Sequence, residues 1–199
     1  MDTLVYDPAY SEVLKFFGMS LDEFFAVKSK GAYEAFERGE ITESEFRRTY
    51  FKDGRDFDLE GLKARLYHGY DWIQGIPELL GDLKGAGVTM HALSNYSEWY
   101  GMMETKLEVS RFLPWTFVSC RTGHRKPEVE TYQFAATELG IDPANCIFVD
   151  DRPKNVAGAQ AAGMRGVVFE GADQLRAALR DVYPTIEDDD DHHRPVTPA

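Results

Sequence analysis

From Pro77 to Tyr183 the chain alternates between helical patterns and short apolar runs, and no other feature narrows its fold so far. A helix, ELLGDLKGAG, begins behind Pro77, a residue suited to a first turn, and stops near Gly85 or Gly87. VTMHAL, PWTFVSC, CIFVD and GVVF then read as four strands, separated by helices around EWYGMMETKLEV, PEVETYQFAATELG and NVAGAQAAG. Val129, Tyr132, Ala136 and Leu139 share one face of the third of these helical patterns. ADQLRAALRDVY closes the series. Strands alternating with helices predict an α/β fold, a parallel sheet with helices on both faces. In such sheets functional residues gather beyond the carboxyl ends of the strands.

Residues 9–70 follow a different pattern. AYSEVLKFF runs into Gly18, a helix stop. Ser20 with Glu23, and Thr42 with Glu45, have the spacing of capping boxes, and Asp58 suits the start of LEGLKARLYHG. Phe24, Val27 and Ala32 recur at helical spacing, as do Phe46, Tyr50 and Phe51. No alternating strand pattern interrupts them. The segment 9–71 therefore predicts a small helical unit set before an α/β core over 72–183. The remainder, 184–199, carries EDDDDHH and three prolines and is expected to be a disordered acidic tail, a solvated run rather than a cation site.

The chain has 199 residues and a formal net charge of −12, which argues against nucleic acid or an anionic membrane as partner. A phosphate-bearing ligand would need a locally positive pocket. No apolar run is long enough to span a bilayer, and no basic-then-apolar leader is visible. Cys120 and Cys146 are too few for a disulfide framework and read as buried thiols in a reducing compartment. The expectation is a soluble intracellular protein. Its oligomeric state is not legible.

Three polar clusters follow three of the strands: Ser94 and Asn95, then Lys126, then Asp150 and Asp151. Singly, each has a bland reading, as a turn, a solvated helix start and a helix cap. In a parallel sheet all three emerge on one edge and meet at one crevice. Adjacent carboxylates repel unless a cation joins them. Mg²⁺ suits an all-oxygen site and bridges to phosphate. The Ser94 hydroxyl and the Asn95 N–H would hold phosphoryl oxygens, and Lys126 would offset their charge. Asp150 and Asp151 would face the metal. This set suits phosphoryl transfer, which depends on positioning and charge neutralisation. A nucleophile is the missing part.

HALSN, RKPEVETY and IFVDDRPKN resemble the second, third and fourth signature motifs of the haloacid dehalogenase superfamily, in their usual order. The resemblance implies a Rossmann-like core with a helical cap inserted after a first motif, DxDxT, whose two aspartates are nucleophile and general acid/base. It also implies Ser94, Asn95 and Lys126 as phosphoryl-binding groups and Asp151 as the metal-binding Asp, with Asp150 as ligand or support. Asn155 would orient metal-bound water or cap a helix. The opening MDTLVYDP resembles the end of the first motif, so that 1–8 reads as its remnant. With Thr3 at the motif threonine, Met1 takes the acid/base position and the nucleophile falls two positions ahead of Met1. The expectations are a truncation within the first motif, a missing first central strand, an open gap in the sheet and little or no activity in the chain as it stands.

VYDPAYSEVLKFFGMSLDEFF, KDGRDFDLEGLK, MHALSNYSEWY and WTFVSCRTGHRKPE are similar to the plant and algal plastid hydrolases that convert flavin mononucleotide to riboflavin. That similarity implies a Mg²⁺-dependent phosphatase, a flavin mononucleotide-like substrate and a plastid location. The alternative is a catalytically dead, phosphatase-like binding or regulatory module. The paired acids argue against a metal-free dehalogenase of the same fold. Tyr96, Trp99 and Tyr100 are candidates to meet a ligand or to pack on the sheet. The cap aromatics, Phe16, Phe17, Phe24, Phe25, Tyr33, Phe36 and Phe46, read first as core. His68, His91 and His124 lack metal-ligand spacing.

Overall fold

A computed structural model describes residues 1–183, so the expectation of a disordered tail lies outside the described residues. The first part is helical, as its caps predict. Helix α1 (Ala9–Phe17) ends at Gly18, where φ is 63° and the N–H bonds back to Leu14. That left-handed geometry favours glycine. Ser20 and Thr42 form complete capping boxes at the starts of α2 (Leu21–Val27) and α4 (Glu43–Thr49). Between them lies α3 (Ala32–Glu37). Asp58 accepts from the Gly61 N–H and opens α5 (Leu59–Gly69).

A strand pair not legible in the sequence ties off the base of this helical part. Strand β1 (Val5–Tyr6) runs antiparallel to β2 (Asp71–Trp72), and the Ile73 N–H donates to the Leu4 carbonyl at 3.0 Å. The chain thus leaves and returns at one place. Beyond it come α6 (Ile76–Gly85), β3 (Leu93–Ser94), α7 (Tyr100–Leu107) and β4 (Phe117–Val118). A single turn, α8 (Ser119–Thr122), precedes α9 (Val129–Leu139), β5 (Ile147–Asp150), α10 (Pro153–Ala161), β6 (Arg165–Val168) and α11 (Ala172–Arg180).

The parallel pairing is as predicted, but the strands are shorter. Leu93 pairs with Phe117 and Ser94 with Val118, while β5 and β6 pair over four residues from Ile147–Arg165 to Asp150–Val168. Among the described residues no hydrogen bonds join β3 to β5. Between them lies a largely apolar cavity of about 320 Å³, lined by Leu93, Phe148, Leu80, Ala136 and Leu175 among others. VTMHAL contributes only its last residue to a ladder; Ala92 exchanges hydrogen bonds with Pro114 and Phe117, and the residues before it have no strand partner among the described residues. The cavity thus separates the β3–β4 pair from the β5–β6 pair.

One apolar cluster runs through both parts of the chain, from Val13, Phe24 and Phe46 to Leu79, Met103, Val118 and Leu175. Phe46 sits at its helical end, 1% exposed, stacked on Phe36 at 4.6 Å and edge-on to Trp99 at 5.6 Å. Polar contacts add to this junction. Arg38 pairs with Glu128 and Arg125 with Glu37 at 3.0 Å, while the Trp99 indole donates to Glu43 at 2.5 Å. Among the described residues no helix is long and apolar enough to cross a membrane.

Replacing Phe46 with alanine should cost about 3–5 kcal/mol in denaturant unfolding, as expected for an aromatic ring removed from a packed core. Glu37 should show itself in pH. Burial pushes its carboxyl above the ordinary 4.5, and Arg125 offsets this only in part. A raised carboxyl contributes stability that is present below the unfolded value and lost as pH rises through the folded one. Relative to wild type, Glu37→Gln should therefore gain melting temperature as pH rises above the ordinary carboxyl value of 4.5. A difference that stays flat with pH would show that Glu37 does not titrate in the folded protein.

Candidate active site

Lys126 is the centre of the polar cluster. Its backbone is gripped by one side chain, with the Lys126 N–H donating to Asn95 Oδ1 and the Asn95 amide donating to the Lys126 carbonyl, both at 2.8 Å. Its ammonium donates to the Leu93 carbonyl at 2.8 Å and to Asp150 Oδ2 at 2.7 Å. An ammonium has three N–H groups, so one is left over for a ligand. The amine also lies 5.4 Å from the centre of the Phe148 ring.

Asp150, at the end of β5, is 3% exposed. Its Oδ1 accepts from the Arg152 N–H at 2.9 Å and from the Asn155 amide at 2.8 Å. Burial works against its ionised form, but the Lys126 charge and these hydrogen bonds outweigh it and hold the carboxyl below the usual range. Asn155 is thereby tied to Asp150, while its own carbonyl accepts from the Tyr132 hydroxyl at 2.6 Å.

Asp151 differs from its neighbour. It is half-buried, its Oδ1 accepts from the Thr3 hydroxyl at 3.0 Å, and its N–H donates back to the same hydroxyl at 3.2 Å. Among the described residues its ion-pair partner is Arg152, 3.8 Å from Oδ2. The contact from Thr3 to Asp151 was not among the sequence-derived site residues. Its signal was the register of the opening segment against the first family motif.

Ser94, Asn95, Lys126, Asp150 and Asp151 all line one cavity of about 180 Å³. Its opposite wall is helical and aromatic, with Phe24, Tyr33, Phe46 and Tyr50. Tyr96 and Trp99 line it too, but both are packed, and the Tyr96 hydroxyl lies 2.7 Å from that of Tyr70. Tyr100 instead packs against Trp115 at 5.3 Å. His91 bonds Thr116 at 2.7 Å and His124 stacks on Phe134 at 4.4 Å, away from the cavity lining. Phe16, Phe17, Phe25 and Phe36 do not line it.

Sequence reasoning missed five charged groups on this cavity: Asp7, Lys28, Glu37, Arg125 and Arg152. Burial raises the Asp7 carboxyl, although the Ala9 N–H donates to it at 2.9 Å.

Among the described residues, no group of three or more His, Cys, Asp or Glu side chains is arranged to hold a metal. Mg²⁺ does not need one, because it retains water and binds through one or two carboxylates together with substrate phosphate. Asp151, hard, half-buried and facing the cavity, fits that demand. Asp150, with both oxygens engaged, fits it less well.

The haloacid dehalogenase-like hydrolase profile matches residues 7–163. Flavin mononucleotide hydrolase 1 of Arabidopsis thaliana, a chloroplast protein, is 46% identical over 182 residues, covering 92% of this chain and 74% of that protein. A sesquiterpene phosphatase of Aspergillus oryzae is 30% identical, covering 75% of this chain and 78% of its own length. Among solved structures, a haloacid dehalogenase family enzyme from Bacteroides thetaiotaomicron, in complex with magnesium and inorganic phosphate, superposes with a TM-score of 0.71. The two are 20% identical, and the match covers 96% of this chain and 94% of the other, a likeness of fold. With the parallel strand pairs and the Ser94, Lys126 and Asp151 cavity described above, the profile match makes this chain a member of the haloacid dehalogenase-like hydrolases.

Proposed function

We propose that this protein is a Mg²⁺-dependent phosphatase that releases phosphate from flavin mononucleotide. The observation that carries the proposal is the cavity itself. Ser94, Lys126 and Asp151 stand on one wall and aromatic rings on the other, so a phosphate and a flat ring each find a suited surface. The 46% identity to a flavin mononucleotide hydrolase supports the same substrate and a plastid setting.

In this reading Lys126 offers its third N–H to a phosphoryl oxygen, and the Ser94 hydroxyl and Asn95 N–H take others. Asp150 does not reach the substrate. It holds the Lys126 ammonium in place, and Asn155 and the Arg152 N–H hold Asp150. Asp151 would hold Mg²⁺, with Thr3 orienting its carboxylate. When bound, the ion neutralises charge on the phosphoryl group. The attacking carboxylate belongs to the position two residues ahead of Met1 in the alignment through Thr3, and the helical segment 9–71 acts as the cap that excludes water.

The proposal is tested by expressing the chain with a segment ending in Asp-x placed before Met1. Phosphate release from flavin mononucleotide should appear, should depend on Mg²⁺ and should be absent from the chain that starts at Met1. Turnover at an ordinary rate without the added Asp would sink the alignment. In the active form, Asp151→Asn should lower turnover at least ~100-fold with little change in melting temperature, because the side chain is half-buried. Lys126→Met should behave differently. It leaves Asp150 buried without its cation and should cost about 3–5 kcal/mol of folding stability. Equal stability losses in the two variants would contradict the division of labour between the two acids.

A further inference from the structure

Lys28 lines the cavity, yet among the described residues its amine makes no ion pair or hydrogen bond, and the phosphate chemistry has no use for it. It follows α2 and its backbone is firmly held. Its N–H bonds the Phe24 carbonyl at 2.8 Å, it bridges to Phe51, and the Ser29 N–H bonds the Tyr50 carbonyl at 2.8 Å. The amine sits in a cage of rings, 5.3 Å from the centre of Tyr33, 5.4 Å from Phe24 and 5.9 Å from Tyr50. Among the described residues it has no carboxylate and no hydrogen-bond acceptor within bonding distance. Glu37, the carboxylate whose field reaches it, is bound to Arg125 at 3.0 Å.

A cation among rings gains from their faces, but its N–H groups still need acceptors. Burial already pushes the Lys28 amine below its ordinary value, so the free protein bears a cost at this position. Such a cost is often found where a ligand completes the group. The phosphate end of the cavity is served by Ser94, Asn95 and Lys126, which stand on the α/β wall. Lys28 stands on the helical wall beside the aromatic rings.

We propose that Lys28 is a specificity-determining residue. Its ammonium donates to a ring carbonyl of the leaving group while the cage rings cover the flat face, so the site selects monoesters whose leaving group carries a carbonyl-bearing aromatic ring. The flavin ring has such carbonyls, and the inference thus rests on the flavin mononucleotide reading above.

Binding to the whole chain tests this without turnover. Riboflavin and flavin mononucleotide are titrated by flavin fluorescence, and inorganic phosphate by calorimetry, into wild type, Lys28→Met and Lys28→Arg. Methionine should weaken both flavins at least ~10-fold, leave inorganic phosphate unchanged, and hold or raise the melting temperature. Arginine, which keeps the donor, should retain most of the flavin affinity. Riboflavin bound equally by wild type and Lys28→Met would overturn the inference and leave the flavin reading standing. Wild type that binds inorganic phosphate but neither flavin would end both. Loss of inorganic phosphate binding in Lys28→Met would move the residue to the phosphate site and overturn its role at the ring.

Discussion

The buried contact between Lys126 and Asp150 is the constraint on which the site depends. Both groups are nearly inaccessible, at 9% and 3% exposure, and neither could be desolvated alone. Their pairing at 2.7 Å is then completed on each side. Leu93 accepts a second Lys126 N–H, and the Arg152 N–H and Asn155 amide saturate the other oxygen of Asp150. A buried pair of this kind contributes little net stability against an apolar substitute. Its consequence is geometric. It links the end of β3 to the end of β5 through side chains, across a gap where their backbones do not meet.

That link explains how a polar cluster stays ordered between two separate strand pairs. The two parallel pairs flank an apolar cavity, yet Asn95 and Lys126 are fixed by bonds between side chain and backbone rather than by ladder hydrogen bonds, and Asp150 has side-chain bonds in addition to its ladder pairing. On the far wall the order comes from packing. Phe36, Phe46, Tyr50 and Trp99 interlock through stacked, tilted and edge-on contacts, and the same apolar cluster continues under the sheet. The cavity is therefore bounded by a hydrogen-bonded wall and an aromatic wall, and ion pairs such as Arg125 with Glu37 join the two.

Much of this was legible from local signals. Ser20, Thr42 and Asp58 start helices because a side-chain oxygen can satisfy an N–H a few residues away, which needs no tertiary context. Gly18 ends one for an equally local reason. The gathering of Ser94, Lys126 and Asp151 followed from the rule that parallel strands end on one edge. The strand lengths did not follow, since pairing depends on a neighbour. The adjacent acids looked alike in the sequence, yet one is locked by three donors and the other faces the cavity.

What the sequence by itself determined was the type and order of the elements, the caps that bound them and the edge at which polar residues emerge. These depend on spacing along the chain and on backbone chemistry. Only the tertiary structure decided the partners. Asp150 meets Lys126 across 24 residues, Asn95 meets Lys126 across 31, and Thr3 meets Asp151 across 148. It likewise set Lys28 among three rings with no acceptor in reach among the described residues. Separations of that size carry no local signature, because burial and packing of the whole chain choose which polar groups are satisfied and which are left for a ligand.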